Sequence, residues 1–238
     1  MSVTEAVLLA GGRGTRLLPY TMVIPKPLMP LDDMPIIEIL LRQLRAAGVT
    51  RVHLSIGHLG DILKAYLDNG AKLDIELSYV REDHPLGTAG PLSLVKDLPD
   101  NFFVLNGDVL TDLNFAALAA DHEASGAALT VSAYDKQTQL SLGVLETDAA
   151  GKLVNYVEKP TFHHLVSMGI YCMSREALAF IEPNQRLDLP DLVKRLIAAE
   201  RHVHTWKFGG HWLDMGTPED YRTAFENFKK MRHIFLRE

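Results

Sequence analysis

Residues 6–28 read AVLLAGGRGTRLLPYTMVIPKPL, and the fold turns on how this run divides. Val7 to Ala10 is a continuous apolar stretch that stops at Gly11, as a strand buried on both faces does. Gly11, Gly12 and Gly14 follow at once, and Pro19, Pro25, Pro27 and Pro30 then hold the segment out of helix. A helical stripe begins at Ile37 and continues through Leu40, Leu41, Leu44 and Ala47 to Gly48. Strand, long loop and helix open a doubly wound layer.

The pattern repeats downstream. Strands are predicted at Arg51 to Ile56, Asp74 to Val80 and Phe102 to Leu105, with helices near Leu59 to Leu67 and after Gly90. Short apolar runs alternating with helical stripes predict right-handed crossovers and parallel pairing. Later strand candidates, Ala128 to Tyr134, Leu142 to Glu146, Leu153 to Glu158 and Val166 to Met173, are separated by turn-rich pieces such as DAAGK and predict a mixed, partly antiparallel sheet. Helices follow near Arg175 to Ile181 and Leu189 to Glu200, then a strand at His202 to Phe208 and a last helix opened by Pro218. The expected class is α/β, with a single doubly wound, mostly parallel mixed sheet and one domain over 1–238.

Composition excludes several partners. With 47% hydrophobic residues in 238, one sizeable core can be buried. A net charge of −6 leaves no basic field for nucleic acid, so anionic ligands must be held by local groups. No apolar run approaches the roughly 20 residues that span a bilayer. A lone cysteine, Cys172, and a start without signal-peptide features give the expectation of a cytoplasmic chain.

The glycine loop is neither of two common phosphate loops. It lacks the Gly-Lys-Ser/Thr of a P-loop, and Leu17 stands where G-x-G-x-x-G needs its last glycine. It does place Arg13, Arg16 and Lys26 on one proline-stiffened segment, and three positive charges there suit a triphosphate. Asp108 ends the apolar run FFVLNGD, and Asp214 ends a second apolar-to-acid run after Trp212 and Leu213. Two carboxylates converging on one crevice would suit Mg²⁺, although either alone is more often a turn former or helix cap.

These residues carry a family resemblance. G-G-R-G-T-R-L followed by P-K-P-L resembles the signature of the sugar-phosphate nucleotidylyltransferases, supported by PLGTAGPL at 85–92, NGDVL at 106–110, VEKP at 157–160, SMGIY at 167–171 and WLDMGTPEDY at 212–221. The resemblance implies a Rossmann-like nucleotidyltransferase fold, with a nucleotide-binding half at 1–110 and a sugar-phosphate-binding half at 111–238. It implies nucleoside triphosphate and sugar 1-phosphate as substrates and Mg²⁺ as cofactor. Arg16 would contact the leaving pyrophosphate, Lys26 the α-phosphate, and Asp108 and Asp214 the metal. Leu9, Gly11, Gly12, Arg13, Gly14, Thr15, Glu82, Gly87 and Thr88 would line the nucleotide. Gly143, Glu158, Lys159, Ser167 and Gly169 would bind the sugar phosphate, with Glu158 on sugar hydroxyls and Lys159 on the phosphate. Ser167 departs from the asparagine often found at its place.

Hydrogen-bond arithmetic bears on the base. Guanine offers two adjacent donors that a carboxylate accepts together, whereas uracil and thymine present one donor flanked by acceptors. Glu82 therefore favours GTP, unless it is a solvated loop acid. Chains without a C-terminal β-helix resemble mannose- and heptose-1-phosphate guanylyltransferases, and no hexapeptide repeat follows residue 220. A glucose-1-phosphate thymidylyl- or uridylyltransferase is the alternative, as is a non-catalytic regulatory subunit, which could lose any of the reactive set retained here. A metal-dependent glycosyltransferase is disfavoured, because N-G-D replaces D-x-D.

Other features receive bland readings. His163 and His164 read as a turn between strands, and Met22, Met29 and Met34 as core filling. The serines lack a G-x-S-x-G setting. A homo-oligomer is compatible with the sequence, but no heptad specifies one.

Overall fold

A computed structural model describes residues 3–236. β1 (Glu5–Ala10) buries Ala6, Leu8 and Ala10 in one apolar cluster and Val7 in another, so both of its faces are covered. A loop of short 3₁₀ turns leads to a small hairpin, β2 (Pro30–Leu31) with β3 (Met34–Pro35), and on to α1 (Ile36–Ala46). β4 (Arg51–Ile56), α2 (Gly60–Leu67), β5 (Glu76–Arg81) and β6 (Asn101–Asn106) follow, and β7 (Val109–Thr111) then leaves the main sheet. After α3 (Phe115–Ser125) come β8 (Leu129–Gln139), the hairpin β9 (Val144–Thr147) and β10 (Leu153–Val157), and β11 (Thr161–Ser174). α4 (Leu189–Ala198), β12 (Val203–Phe208), β13 (Trp212–Asp214) and α5 (Pro218–Leu236) complete the chain.

The main sheet has seven strands in the order β12-β8-β11-β6-β1-β4-β5. β6, β1, β4 and β5 run parallel, as do β8 and β12, while β11 is antiparallel to both its neighbours. Buried residues of α1, α2 and α3 cover one face and those of α4 the other. A third cluster seats α5 on the outer side of α1 through Phe228, Phe235, Ile36 and Ile39. The mixed, mostly parallel α/β sheet matches the sequence expectation.

Three local readings are corrected. Residues 115–125 received no helix because apolar side chains, mostly alanine, surround α3 and blur any stripe. The helix rests instead on alanine propensity and its caps: Asn114 accepts from Ala117 N–H at 3.1 Å, and Gly126 adopts φ +59° at the far end. His163 and His164 lie within β11, paired with Gln137 and Lys136, and not in a turn. Met29 and Met34 are buried, but Met22 is 65% exposed on the proline-rich loop.

Candidate active site

The glycine loop leaves β1 at the C-terminal edge of the parallel strands, where doubly wound sheets open their crevice. Gly14 sits at φ +61°, and its carbonyl accepts from Leu17 N–H and Thr21 Oγ1, both at 2.8 Å. These bonds fold the loop back and aim Arg16 and Lys26 into a cavity of about 220 Å³ lined also by Leu9, Gly12, Thr15 and Asp108. A side chain at Gly12 would meet no protein atom within 4 Å, so the space before its backbone is open to a ligand.

Asp108 lines this cavity, and Asp214 lies beside it against Gly216, which also lines it. β7 and β13 pair as an antiparallel ribbon that sets Asp214 opposite Val109, the residue after Asp108. Lys26 Nζ forms an ion pair with Asp108 Oδ2. A side chain at Gly216 would lie 3.0 Å from Arg16 Nη1 and 3.4 Å from Asp214 Oδ2, so glycine there lets guanidinium and carboxylate share one space. Desolvation, and then the neighbouring Asp108, hold the Asp214 carboxyl above its ordinary value, while Lys26 and Arg16 oppose the shift. Among the described residues no group of three or more His, Cys, Asp or Glu side chains could hold a metal ion. Two carboxylates with cations beside them fit a hard cation that takes its remaining ligands from phosphate and water.

A larger cavity of about 580 Å³ joins the first through Leu9, Gly12 and Asp108 and is lined by Gly11, Arg13, Glu82, Gly87, Thr88 and Asn106. Ser55 Oγ donates to Glu82 Oε1 at 2.8 Å, and Leu86 N–H donates to Oε2 at 2.9 Å. Glu82 is therefore braced by the protein and not a free loop acid. His58 also lines this cavity and was not selected from sequence, where a histidine after a glycine carries no signal. Asn106, the first residue of NGDVL, packs so closely on Gly169, at φ +71°, that a Cβ there would lie 2.4 Å from its Nδ2.

The remaining residues lie on the arm formed by the outer halves of β8 and β11 with the β9–β10 hairpin. A Cβ at Gly143 would fall 2.3 Å from the Tyr156 hydroxyl, which donates to Glu158 Oε2 at 3.0 Å. Ser167 Oγ and the Tyr171 hydroxyl lie 3.0 Å apart. β10 ends at Val157, so Glu158 and Lys159 lie beyond the strand, and Lys159 turns at φ +45°. Gly143, Glu158, Lys159, Ser167 and Gly169 line neither cavity.

A glycine loop after β1, two neighbouring carboxylates and a mixed sheet interrupted by one antiparallel strand define a nucleotidyl-transfer fold. The chain belongs to the nucleotidyl transferase family, whose model matches residues 5–231. It is 33% identical over 229 residues to the mannose-1-phosphate guanyltransferase of Schizosaccharomyces pombe, with 92% of this chain and 63% of that protein covered. A UTP–glucose-1-phosphate uridylyltransferase of Synechocystis is 31% identical over 240 residues, with 92% and 62% covered. The chain thus spans less than two thirds of the length of these relatives. Among solved structures, HddC from Yersinia pseudotuberculosis superposes with a TM-score of 0.73 at 25% identity, over 95% of this chain and 100% of that one.

Proposed function

We propose that the chain transfers a nucleoside monophosphate from a nucleoside triphosphate, with GTP preferred, to a mannose- or heptose-type sugar 1-phosphate. A phosphate oxygen of the sugar phosphate attacks the α-phosphorus, the bond to the β-phosphate oxygen breaks, and pyrophosphate leaves with the electron pair. The observation that carries this reading is the gathering of Arg16, Lys26 and Asp108 around the smaller cavity, with Asp214 beside Arg16 across Gly216. Such a transfer needs positioning and charge neutralisation more than covalent chemistry.

Asp108 and Asp214 would hold Mg²⁺, which supplies Lewis-acid neutralisation of the phosphates. Lys26 sits against Asp108 at the crevice and serves the α-phosphate as a movable point charge. Arg16, lying along Gly216, offers a planar fork to the pyrophosphate oxygens. Backbone N–H groups around Gly12 give close approach without a side chain in the way. Gly143, Glu158, Lys159, Ser167 and Gly169 serve the sugar phosphate when the arm meets the crevice.

Glu82 supports guanine. Both its oxygens accept hydrogen bonds from the protein, and each carboxylate oxygen retains a lone pair for the adjacent donors of a guanine edge. The same bonds favour a second reading, uridylyl or thymidylyl transfer, in which Glu82 only braces its loop. Similarity to both the guanyl- and uridylyltransferases named above supports testing the two together.

The test is pyrophosphate release with Mg²⁺ and GTP, UTP, dTTP, CTP or ATP, each against mannose, heptose and glucose 1-phosphates. GTP with a mannose- or heptose-type acceptor is expected to give the highest kcat/KM. Exclusive use of UTP or dTTP would refute the guanine argument, and no release with any pair would refute transferase activity.

A further inference from the structure

The aspartate at the start of α4 holds an unusual place. Asp188 occupies the N-cap, a position where aspartate normally accepts from the second or third helical N–H. Its side chain makes no such bond. Pro190 at the second position has no N–H to give, and the N–H of Asp191 goes to the backbone carbonyl of Asp188 at 3.0 Å. The carboxylate is thereby released, and it turns to a segment a hundred residues away: Oδ1 accepts from Thr88 N–H at 3.1 Å.

Thr88 returns the service. Its hydroxyl oxygen accepts from Leu189 N–H at 2.7 Å, capping the helix that Asp188 leaves uncapped. Leu187 continues the seam, accepting at its carbonyl from Ala89 N–H at 2.8 Å and Gly90 N–H at 3.0 Å and donating its own N–H to Leu86 O at 2.9 Å. Gly87 turns at φ +80° directly over Asp188, where a Cβ would stand 2.6 Å from Oδ1. Gly87 and Thr88 face the larger cavity, and Asp188 lies behind them.

We propose that Asp188 is a positioning residue for the nucleoside triphosphate. It acts through Gly87 and Thr88, fixing the backbone of the loop that lines the larger cavity. This rests on the reading of that cavity as the nucleotide site. The exchange of caps makes the loop and the helix order each other, so the loop is set before substrate arrives and nucleotide binding is spared the entropy of fixing it. Asp188 touches neither phosphorus nor leaving group, so its loss is expected in nucleotide affinity and not in the chemical step.

The experiment compares Asp188→Ala, Asp188→Ser and Asp188→Asn in the full chain, by steady-state kinetics and by calorimetric titration of GTP. Serine suits the extended backbone of the N-cap position, but its hydroxyl is shorter than the carboxylate and withdraws the acceptor from Thr88, which guards against a variant that fails to fold. Asparagine keeps the accepting Oδ1. D188A and D188S are expected to raise KM and Kd for GTP about tenfold, with kcat and the KM for sugar phosphate within about twofold of wild type. D188N is expected to restore both nucleotide constants. Unchanged nucleotide constants in D188A and D188S overturn the proposal, as does a D188N chain as weak as D188A. A wild-type chain that neither binds nor turns over any nucleoside triphosphate overturns the reading of the cavity as well, so wild type alone separates the two failures.

Discussion

Asp108 and Asp214 differ in what their removal should do. Asp108→Asn keeps the shape of the β6–β7 turn but withdraws a charge, and is expected to lower kcat at least 100-fold while leaving the thermal midpoint within a few degrees. Asp214 carries a raised folded-state pKa, so its ionisation disfavours the folded chain. The stability it contributes is present at low pH and lost as pH rises through the raised value. Asp214→Asn should therefore resist urea better than wild type at pH 7 in metal-free buffer, with the gap closing toward the ordinary carboxylate value. A D214N midpoint below wild type at pH 7 would contradict the sign. At this scale the sequence was informative wherever chemistry is local. Gly12, Arg16, Lys26 and Asp108 share a motif or end an apolar run, and all four line the smaller cavity. Asp188 was legible only as the start of a helix, because its partner Thr88 is brought near by folding alone. His58 reaches its cavity for the same reason.

Single elements depend on a few buried polar contacts. Gln43 of α1 donates from Nε2 to Thr111 O at 2.6 Å and to Phe235 O at 2.7 Å, tying the ribbon that carries both acids to the end of α5. Gln43→Leu would leave two buried carbonyls without a donor and is expected to cost about 2–4 kcal/mol, read from urea unfolding. The same end of the ribbon is closed by Asp112, which accepts from His211 N–H at 2.7 Å and meets its Nδ1 at 2.9 Å. Helices with a one-sided stripe, such as α1, could be read from periodicity. Alanine-rich α3 could not, although Asn114 and Gly126 stood at its ends as cap signals. The β9–β10 hairpin was found as strands, but its pairing with itself and not with the main sheet depends on contacts beyond its own residues.

Across the whole molecule, one polar network joins elements far apart in the chain. His122 of α3 is buried, with Nδ1 2.8 Å from Thr130 Oγ1 of β8 and Nε2 3.1 Å from Ser174 Oγ of β11. Desolvation holds its imidazole below the usual value. The unfolded chain therefore takes up a proton that the folded chain refuses, and stability present above pH ~6.5 falls as pH drops through the folded value. Urea midpoints measured from pH 7 to pH 5 should decline in wild type and decline less in His122→Asn; equal slopes would exclude His122 as the cause. The order of the main sheet was not legible, because placing β11 antiparallel between β6 and β8 is a long-range choice that no local pattern encodes. β11 also changes register along its length: between Ser167 and Tyr171 it advances four residues while β8 advances two, from Ala133 to Val131. The excess is even, and side chains alternate with period two, so the inward and outward sets keep their parity on either side of the bend. The arm can thus be re-aimed by changes at this bend alone, while the core beneath goes on reading the same pattern.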